Sequence, residues 1–320
     1  MTRKRALDAV RAVLLAVVLV AVGVALWRNW AAVSTELRKL DWRVVTAAFL
    51  IGLFPPAFTM LGWRALLRDL GTDLPLPPAA STFFVGQLGK YVPGSVWTVV
   101  VQTEMGHRLR VPRRRMAAAG LVMLGLSVLG GAVVALPALP RLLTQSHTAL
   151  SPWWGVVGVV LVLVVVYPPV LNALITKALR VVRREPLEHR LSGGAITRCM
   201  LAIVAAWLGT GASVFVIARA LAPEADASSL LLVCISGFAL ASVIGMVAVF
   251  LPAGVGVREA ILLLLLTALM PAAAATAVVV LIRFLNVLAD VLWAGVGWLW
   301  ARAHHLLPAK LPKSADDVSP

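Results

Sequence analysis

Three cationic side chains lie within apolar stretches of this sequence, and two of them stand beside helix-breaking residues. Lys90 lies one turn before a Pro-Gly pair at 93–94, Arg258 follows a second break at 252–256, and Arg283 lies in the last apolar segment. Proline removes a helical hydrogen bond, and glycine tolerates the backbone angles that follow. Backbone left unpaired at membrane depth must be buried in protein or face water. The pattern therefore predicts a polar cavity inside an apolar layer.

The ligand expected in such a cavity is an anion. Segments after the two breaks, starting near Val96 and Val257, would begin helices at the middle of the layer, where exposed N–H groups favour negative charge. A Lys or Arg at that depth costs about 2.5–3.5 kcal/mol on insertion scales and usually marks a ligand path. We expect a phosphate or other anionic headgroup. The open alternative is that Lys90 and Arg258 extend to an interface and the prolines are tolerated kinks.

The candidate residues fall into three groups. The predicted headgroup contacts are Lys90, Arg258, Arg283, Gln87 and Ser95, where Gln87 is a better cavity candidate than Gln102 on the same hairpin. The predicted helix-break and cavity residues are Tyr91, Pro93, Gly94, Trp97, Pro252, Gly254 and Gly256. Two carboxylates are candidate counter-ions, namely Glu259 beside Arg258, and Asp290 on one helical stripe with Arg283 and Asn286. Glu259 is a counter-ion or a proton acceptor, with a structural pair to Arg258 favoured, whereas Arg283 and Asp290 can equally line the cavity or form a structural pair.

Motifs of soluble catalysis are missing from the sequence. The run 86–90 lacks the spacing of a phosphate-binding Walker A loop, and no GxGxxG, GxSxG or HExxH pattern occurs. The five histidines are scattered, and Cys199 and Cys234 make no metal-binding spacing. We therefore predict no catalytic residue, no metal site and no cofactor.

The composition places the chain in a membrane. Hydrophobic residues make up 61% and charged residues 13%, against roughly 45–50% and about 25% in soluble domains. The mean hydropathy is +0.94. The net charge of +15 favours cytoplasmic loops against anionic lipid over nucleic-acid binding, because the basic residues lie between apolar runs. We predict an all-α polytopic membrane protein.

A membrane span needs about 20 apolar residues, and six uninterrupted stretches qualify. The predicted spans are approximately 11–30, 43–63, 116–136, 153–175, 198–221 and 276–301, and the interrupted stretches are 80–104 and 230–270. The stretch 11–30 follows a basic N-terminus but has no cleavage site, so we interpret it as a helix and not a signal peptide. The limbs of 80–104 suit a re-entrant hairpin, whereas 230–250 is long enough to cross, so an eight-span count also stays open.

Charge placement predicts the topology. Basic clusters at the N-terminus, at 108–115 and at 177–198 are expected on the cytoplasmic side, together with both termini. The chain then forms one integral membrane domain over 1–304, made of inverted units 10–136 and 153–302, with a disordered cytoplasmic tail at 305–320. Inverted repeats with broken helices at their interface are a recurring transporter architecture.

Two motifs carry a family resemblance. The first is the run Gly86-Gln87-Leu88-Gly89-Lys90-Tyr91-Val92-Pro93-Gly94-Ser95-Val96-Trp97. The second is the run Leu251-Pro252-Ala253-Gly254-Val255-Gly256-Val257-Arg258-Glu259-Ala260. Both resemble signatures of the lysylphosphatidylglycerol synthase transmembrane-region family, often called flippase-like proteins. The run Gly62-Trp63-Arg64-Ala65-Leu66-Leu67 and Arg283 also match in position. The chain departs from the family pattern at Ala253, where the family tends to have glycine, and at 121–126, which lacks an expected acidic residue.

The resemblance implies a domain that moves a lipid between leaflets, aminoacylated phosphatidylglycerol in two-domain members and polyprenyl-phosphate sugars in others. The sequence shows no soluble aminoacyltransferase domain, so we do not expect lysyl-lipid synthesis.

We expect a translocase, not an enzyme, in a bacterial inner membrane, acting on an anionic phospholipid or a polyprenyl-phosphate-linked glycolipid. Membrane lipids are the expected partners, with an envelope or glycolipid-biosynthesis protein as another, and nucleic acid is not expected. The alternatives are a glycosyltransferase using a polyprenyl-phosphate donor, with Glu36 and Asp41 as its outer carboxylates, and a non-transporting envelope scaffold.

Overall fold

The computed structural model describes residues 30–92, 97–139, 153–181, 187–247 and 254–304, and these ranges contain helices and no strand. After a helical segment over 30–38, the helices in chain order are α1 (Trp42–Asp69), α2 (Leu76–Gln87), α3 (Trp97–Arg108), α4 (Arg113–Ala135), α5 (Trp153–Val166), α6 (Pro168–Val181), α7 (Gly193–Leu221), α8 (Ala227–Val247), α9 (Val257–Leu266) and α10 (Ala272–Ala303). A 3₁₀ turn over Leu88–Tyr91 extends α2, and another over Leu136–Ala138 extends α4.

Five of the described helices are long and apolar enough to cross a membrane: α1, α4 with its 3₁₀ extension, α7, α8 and α10. At 1.5 Å per residue, the 28 residues of α1 and the 32 of α10 extend about 42 and 48 Å. Many large apolar side chains on these helices are exposed, as lipid contact requires. The prediction of an all-α polytopic membrane fold is confirmed. The predicted span 11–30 and the tail 305–320 lie outside the described residues.

Local sequence explains where the spans begin. Asp41 accepts a hydrogen bond from the Arg43 amide at 2.8 Å, which caps α1. Ser192 and Asp226 cap α7 and α8 in the same way. A proline precedes the first residue of α2, α4 and α10, where a missing N–H costs nothing. The predicted spans 43–63, 116–136, 198–221 and 276–301 each lie inside one of these helices.

The predicted span 153–175 is not one continuous helix. It consists of α5 and α6, which are bent by 71° at Tyr167. The cause is the pair Pro168-Pro169, because proline lacks an amide N–H and disfavours helical angles in the residue before it. Beyond the bend, the amide of Asn172 donates to the Leu191 carbonyl at 2.8 Å and accepts from the Leu191 amide at 2.9 Å. The bend therefore fixes α6 to the loop that precedes α7.

The two broken stretches differ in length. In the first, α2 and α3 have 12 residues each, about 18 Å of helix, which is too short to cross. In the second, α8 has 21 residues and is long enough, whereas α9 has 10. The second stretch therefore has one helix that is long enough to cross a membrane and one that is not, as its sequence predicts. The first stretch has two short helices, whose lengths match a re-entrant hairpin.

The second helices of the two units, α1 and α7, pack antiparallel. Gly62 faces Cys199 near the start of α7, whereas Gly52 faces Ser213 near its end. Small residues let the two backbones approach, and the Ser213 hydroxyl donates to the Ala48 carbonyl at 2.7 Å. Corresponding helices that run in opposite directions are what an inverted repeat requires.

Each broken stretch packs against the last span of the other unit. The Ser81 hydroxyl of α2 donates to the Gly297 carbonyl of α10 at 2.7 Å, and Phe84 stacks on Trp293 with ring centroids 4.5 Å apart. Reciprocally, Gly131 of α4 faces a side chain of α8. This exchange brings the residues beside both breaks to one place between the units.

Candidate functional site

A cavity of about 340 Å³ lies between the two units. Its walls come from α1, α2, α3 and α4 of the first unit and from α7, α8, α9 and α10 of the second. Small-molecule sites typically have volumes of about 300–1,000 Å³. The cavity is therefore large enough for a polar headgroup, and both units contribute to it.

One charged cluster joins the first break to the last helix. The Lys90 ammonium lies 2.7 Å from Oδ2 and 2.8 Å from Oδ1 of Asp290, and the Tyr91 hydroxyl donates to Oδ2 at 2.6 Å. Asp290 is 8% exposed, while the Lys90 side chain is 37% exposed. Sequence reasoning placed Asp290 on the same stripe as Arg283. Its carboxylate instead pairs with Lys90, because α2 runs antiparallel to α10 and its 3₁₀ extension ends at this level.

A second charged cluster lies at the start of α9. Oε1 of Glu259 is 3.5 Å from the Arg258 guanidinium and 3.3 Å from that of Arg283. Oε2 accepts a hydrogen bond from the Gly256 amide at 2.7 Å, which closes the N-terminus of α9. Glu259 thus caps the helix and lies between two arginines. The Arg258 guanidinium also lies 5.4 Å from the centroid of the Phe238 ring, within cation–π range.

The charges of the two clusters do not cancel. Three cations, Lys90, Arg258 and Arg283, meet two carboxylates, Asp290 and Glu259, which leaves one net positive charge. Four of the five residues line the cavity, and Glu259 lies behind the two arginines. Charges at this depth have to be paired or hydrogen-bonded. An entering anion can therefore balance the excess charge and take over contacts that the carboxylates now make.

The remaining predicted residues are placed as follows. Gln87 and Gly254 line the cavity, and Gly254 adopts a φ of +66° where it packs against Gly245. Gly256 has a φ of +87° at the cap of α9. Trp97 is 44% exposed and does not line the cavity. Pro93, Gly94, Ser95 and Pro252 lie outside the described residues. The functional roles given to all these residues stay predictions.

Sequence reasoning missed several residues of the wall. Gln102 of α3 lines the cavity and is only 2% exposed, although Gln87 had looked the better candidate. Pro55 and Pro56, inside α1, also line it, and the Thr59 hydroxyl donates to their two carbonyls. Adjacent prolines inside a span were the signal that could have located this wall.

The described part of the chain contains no group of three His, Cys, Asp or Glu side chains that could hold a metal ion. The carboxylate in the cavity wall, Asp290, is paired with Lys90, and Glu259 behind the arginines is paired with Arg258 and Arg283. The arrangement is suited to holding and releasing an anion.

Fold and site together define a multi-pass helical membrane protein with a charged cavity lined by helices from both halves of the chain. The model of the family described as Lysylphosphatidylglycerol synthase TM region matches residues 12–294, and the chain belongs to that family. This confirms the resemblance carried by the two motifs. A comparison with curated proteins gave no match. The family is a membrane domain that is often linked to flippase-like lipid transport.

Proposed function

We propose that this protein translocates an anionic lipid, either a phospholipid or a polyprenyl-phosphate-linked glycolipid, between the leaflets of a membrane. The headgroup passes through the cavity while the acyl or prenyl tail stays in the bilayer. The observation that carries the proposal is the meeting of Lys90, Arg258 and Arg283 around one cavity with a net positive charge. Membership of this family also supports a role in lipid transport.

The ion pairs suggest how the headgroup enters and leaves. Asp290 pairs with Lys90 and Glu259 lies between the two arginines, so two of the three positive charges are compensated. A phosphate oxygen competes with these carboxylates for the same donors. Because the carboxylates return when the phosphate leaves, no unpaired cation is left at membrane depth. Exchange of this kind allows release as well as binding.

We further propose a bacterial inner membrane and cytoplasmic termini, with the basic loops inside. The described basic loops lie together at one end of the bundle. Arg115 donates to the Gly71 carbonyl at 2.8 Å and pairs with Glu188, and Asp69 accepts from the Ser192 amide at 2.6 Å. The opposite end carries fewer basic residues, Arg38, Lys39 and Arg43 near the start of α1, and the loop before α8 there carries Glu224 and Asp226. This asymmetry supports the assignment of the first end to the cytoplasm.

Membrane lipids are the proposed partners, together with an envelope or glycolipid-biosynthesis protein, and no reaction is proposed. A glycosyltransferase would need outer carboxylates to act as base or metal ligand. Glu36 pairs with Lys39 at 2.6 Å, and Asp41 caps α1. Both candidate carboxylates therefore have local structural contacts, which favours transport over glycosyl transfer.

The proposal is tested by translocation in proteoliposomes. Fluorescent phosphatidylglycerol is incorporated with the purified full-length chain, and the rate at which the label moves between leaflets is measured by chemical quenching from outside. Lys90→Gln and Arg258→Gln should each slow translocation about tenfold or more, since each removes a charge-assisted contact. Lys177→Gln, an exposed change on α6 outside the cavity, should stay within about twofold of the original rate. Equal rates for all three variants and the unchanged chain would contradict the proposal.

A further inference from the structure

Apart from its charged residues, the cavity contains a buried neutral amide. Gln102 lines the cavity, is 2% exposed, and makes no hydrogen bond with any other described residue. A buried amide without partners destabilises the folded protein. Its presence in a cavity wall indicates that something other than the protein satisfies it.

Two glycines confine the Gln102 side chain. A Cβ atom at Gly86 of α2 would lie 2.4 Å from Cγ of Gln102, which no real contact allows. A Cβ atom at Gly120 of α4 would lie 3.0 Å from Val99 and 3.4 Å from Oε1 of Gln102. The amide is thus held between two helices whose backbones approach it closely.

Two other residues of the cavity wall, Trp63 and Ser242, each have a polar atom, Nε1 and the hydroxyl, that is buried without a hydrogen-bond partner in the described part of the chain. Neither of these atoms is open to the cavity, whereas the Gln102 amide does not belong to the fully buried group. An indole N–H only donates, whereas an amide and a hydroxyl both donate and accept. A quaternary ammonium would satisfy none of these donors. Hydroxyl groups, which donate and accept without carrying charge, satisfy both the N–H groups and the carbonyl oxygen of the Gln102 amide.

We propose that Gln102 forms a neutral subsite that binds hydroxyl groups of the headgroup beyond its phosphate. The inference rests on the proposed function, because Lys90, Arg258 and Arg283 hold the phosphate. It names the substrate class as anionic lipids with a hydroxylated headgroup, either glycerol or a sugar. Phosphatidic acid, whose phosphate carries no such group, binds through the charged clusters alone.

The test measures affinities of the purified full-length chain in detergent for three dioctanoyl lipids: phosphatidylglycerol, phosphatidylinositol and phosphatidic acid. The unchanged chain should bind one or both hydroxylated lipids about tenfold more tightly than phosphatidic acid. Gln102→Leu should abolish that preference and leave the affinity for phosphatidic acid within about twofold. The ratio of the two hydroxylated lipids tells a glycerol headgroup from a cyclic polyol of the size of a sugar.

Two further variants separate a binding role from a folding role. Gly86→Ala keeps the amide but displaces it, so it should remove the preference as Gln102→Leu does. Thr103→Val changes the neighbouring residue, whose hydroxyl donates to the Val99 carbonyl within α3 and which does not line the cavity. It should keep the preference. Binding of phosphatidic acid reports in each case that the variant is folded.

Three results would overturn the inference. The first is a preference that survives in Gln102→Leu, and the second is an equal loss of affinity for all three lipids in that variant. The third is an unchanged chain that binds the three lipids equally well, which would refute the neutral subsite while the phosphate site stands. If the unchanged chain bound none of them, the proposed function would be refuted together with the subsite.

Discussion

The ammonium group of Lys90 lies 2.7 Å from the carboxylate of Asp290, a residue 200 positions further along the chain. This contact joins the broken hairpin of the first unit to the last span of the second. Lys90 lies beside the first break, and Asp290 faces the cavity that both units line. The pair is thus both a link between the units and a part of the site where we propose that the headgroup binds.

Removal of the Asp290 charge should strengthen anion binding and slow transport. Asp290→Asn raises the net charge of the clusters by one and removes the group that competes with phosphate for Lys90. We expect about tenfold tighter binding of dioctanoyl phosphatidic acid and slower translocation in proteoliposomes, because release becomes harder. Weaker binding in this variant would show that Asp290 assists the anion and does not compete with it.

An exchange of the charges of Lys90 and Asp290 should show whether the ion pair itself, and not the position of each charge, stabilises the protein. Lys90→Asp and Asp290→Lys each place like charges together, so we expect either change to destabilise the protein by about 1–3 kcal/mol, less than for a fully buried pair because Lys90 is 37% exposed. The double variant restores opposite charges and should recover most of this loss, measured by thermal unfolding in detergent. If the loss of stability in the double variant equalled the sum of the losses in the two single variants, the ion pair would contribute nothing to stability.

A side chain at Gly254 should destabilise the second break. Gly254 has a φ of +66°, and an added Cβ would lie 3.0 Å from Cα of Gly245, so Gly254→Ala meets both strain and a backbone clash. We expect a loss of about 1–3 kcal/mol. The control is Gly295→Ala in α10, where an added Cβ meets nothing within 4 Å and alanine favours the helix. Equal unfolding temperatures for the two variants would argue against the close approach at Gly254.

Acid should weaken the contact between the basic loops. The hydrogen bond from Arg115, then its charge, then Arg114 and His189, hold the pKa of Glu188 below its ordinary value of 4.5, although some desolvation opposes them. Because the pKa is lower in the folded protein, the stabilisation is complete above about pH 4.5 and is lost as the pH falls through the folded value. Glu188→Gln should therefore lower the unfolding temperature at pH 7, and this difference should shrink at lower pH. A difference that is constant with pH would exclude titration of Glu188 as its source.

The sequence predicted the spans and the broken stretches well, because apolar length and proline or glycine are local properties. It also contained a local signal at Pro168-Pro169, but hydropathy averaged over 153–175 concealed the bend. The lengths of 80–104 and 230–250 predicted that the two breaks differ, which α2 and α8 reproduce.

The contacts within the site could not be predicted from the sequence. Asp290 shares a helical stripe with Arg283, and only the antiparallel packing of α2 on α10 shows that it meets Lys90. In the same way, spacing could not decide between Gln87 and Gln102. The burial of Gln102 depends on two glycines from different helices, Gly86 and Gly120, that approach it from either side. Such contacts depend on tertiary packing and leave no local signal.

The central claim is that an anionic headgroup binds where the two units bring their cations together, and native mass spectrometry of the purified protein tests it most directly. The unchanged chain should retain one phosphate-containing lipid that survives mild activation. The double variant Lys90→Gln with Arg258→Gln should retain none, while Lys177→Gln with Arg180→Gln, both exposed on α6, should retain it. Retention of the same lipid by all three proteins would contradict the account.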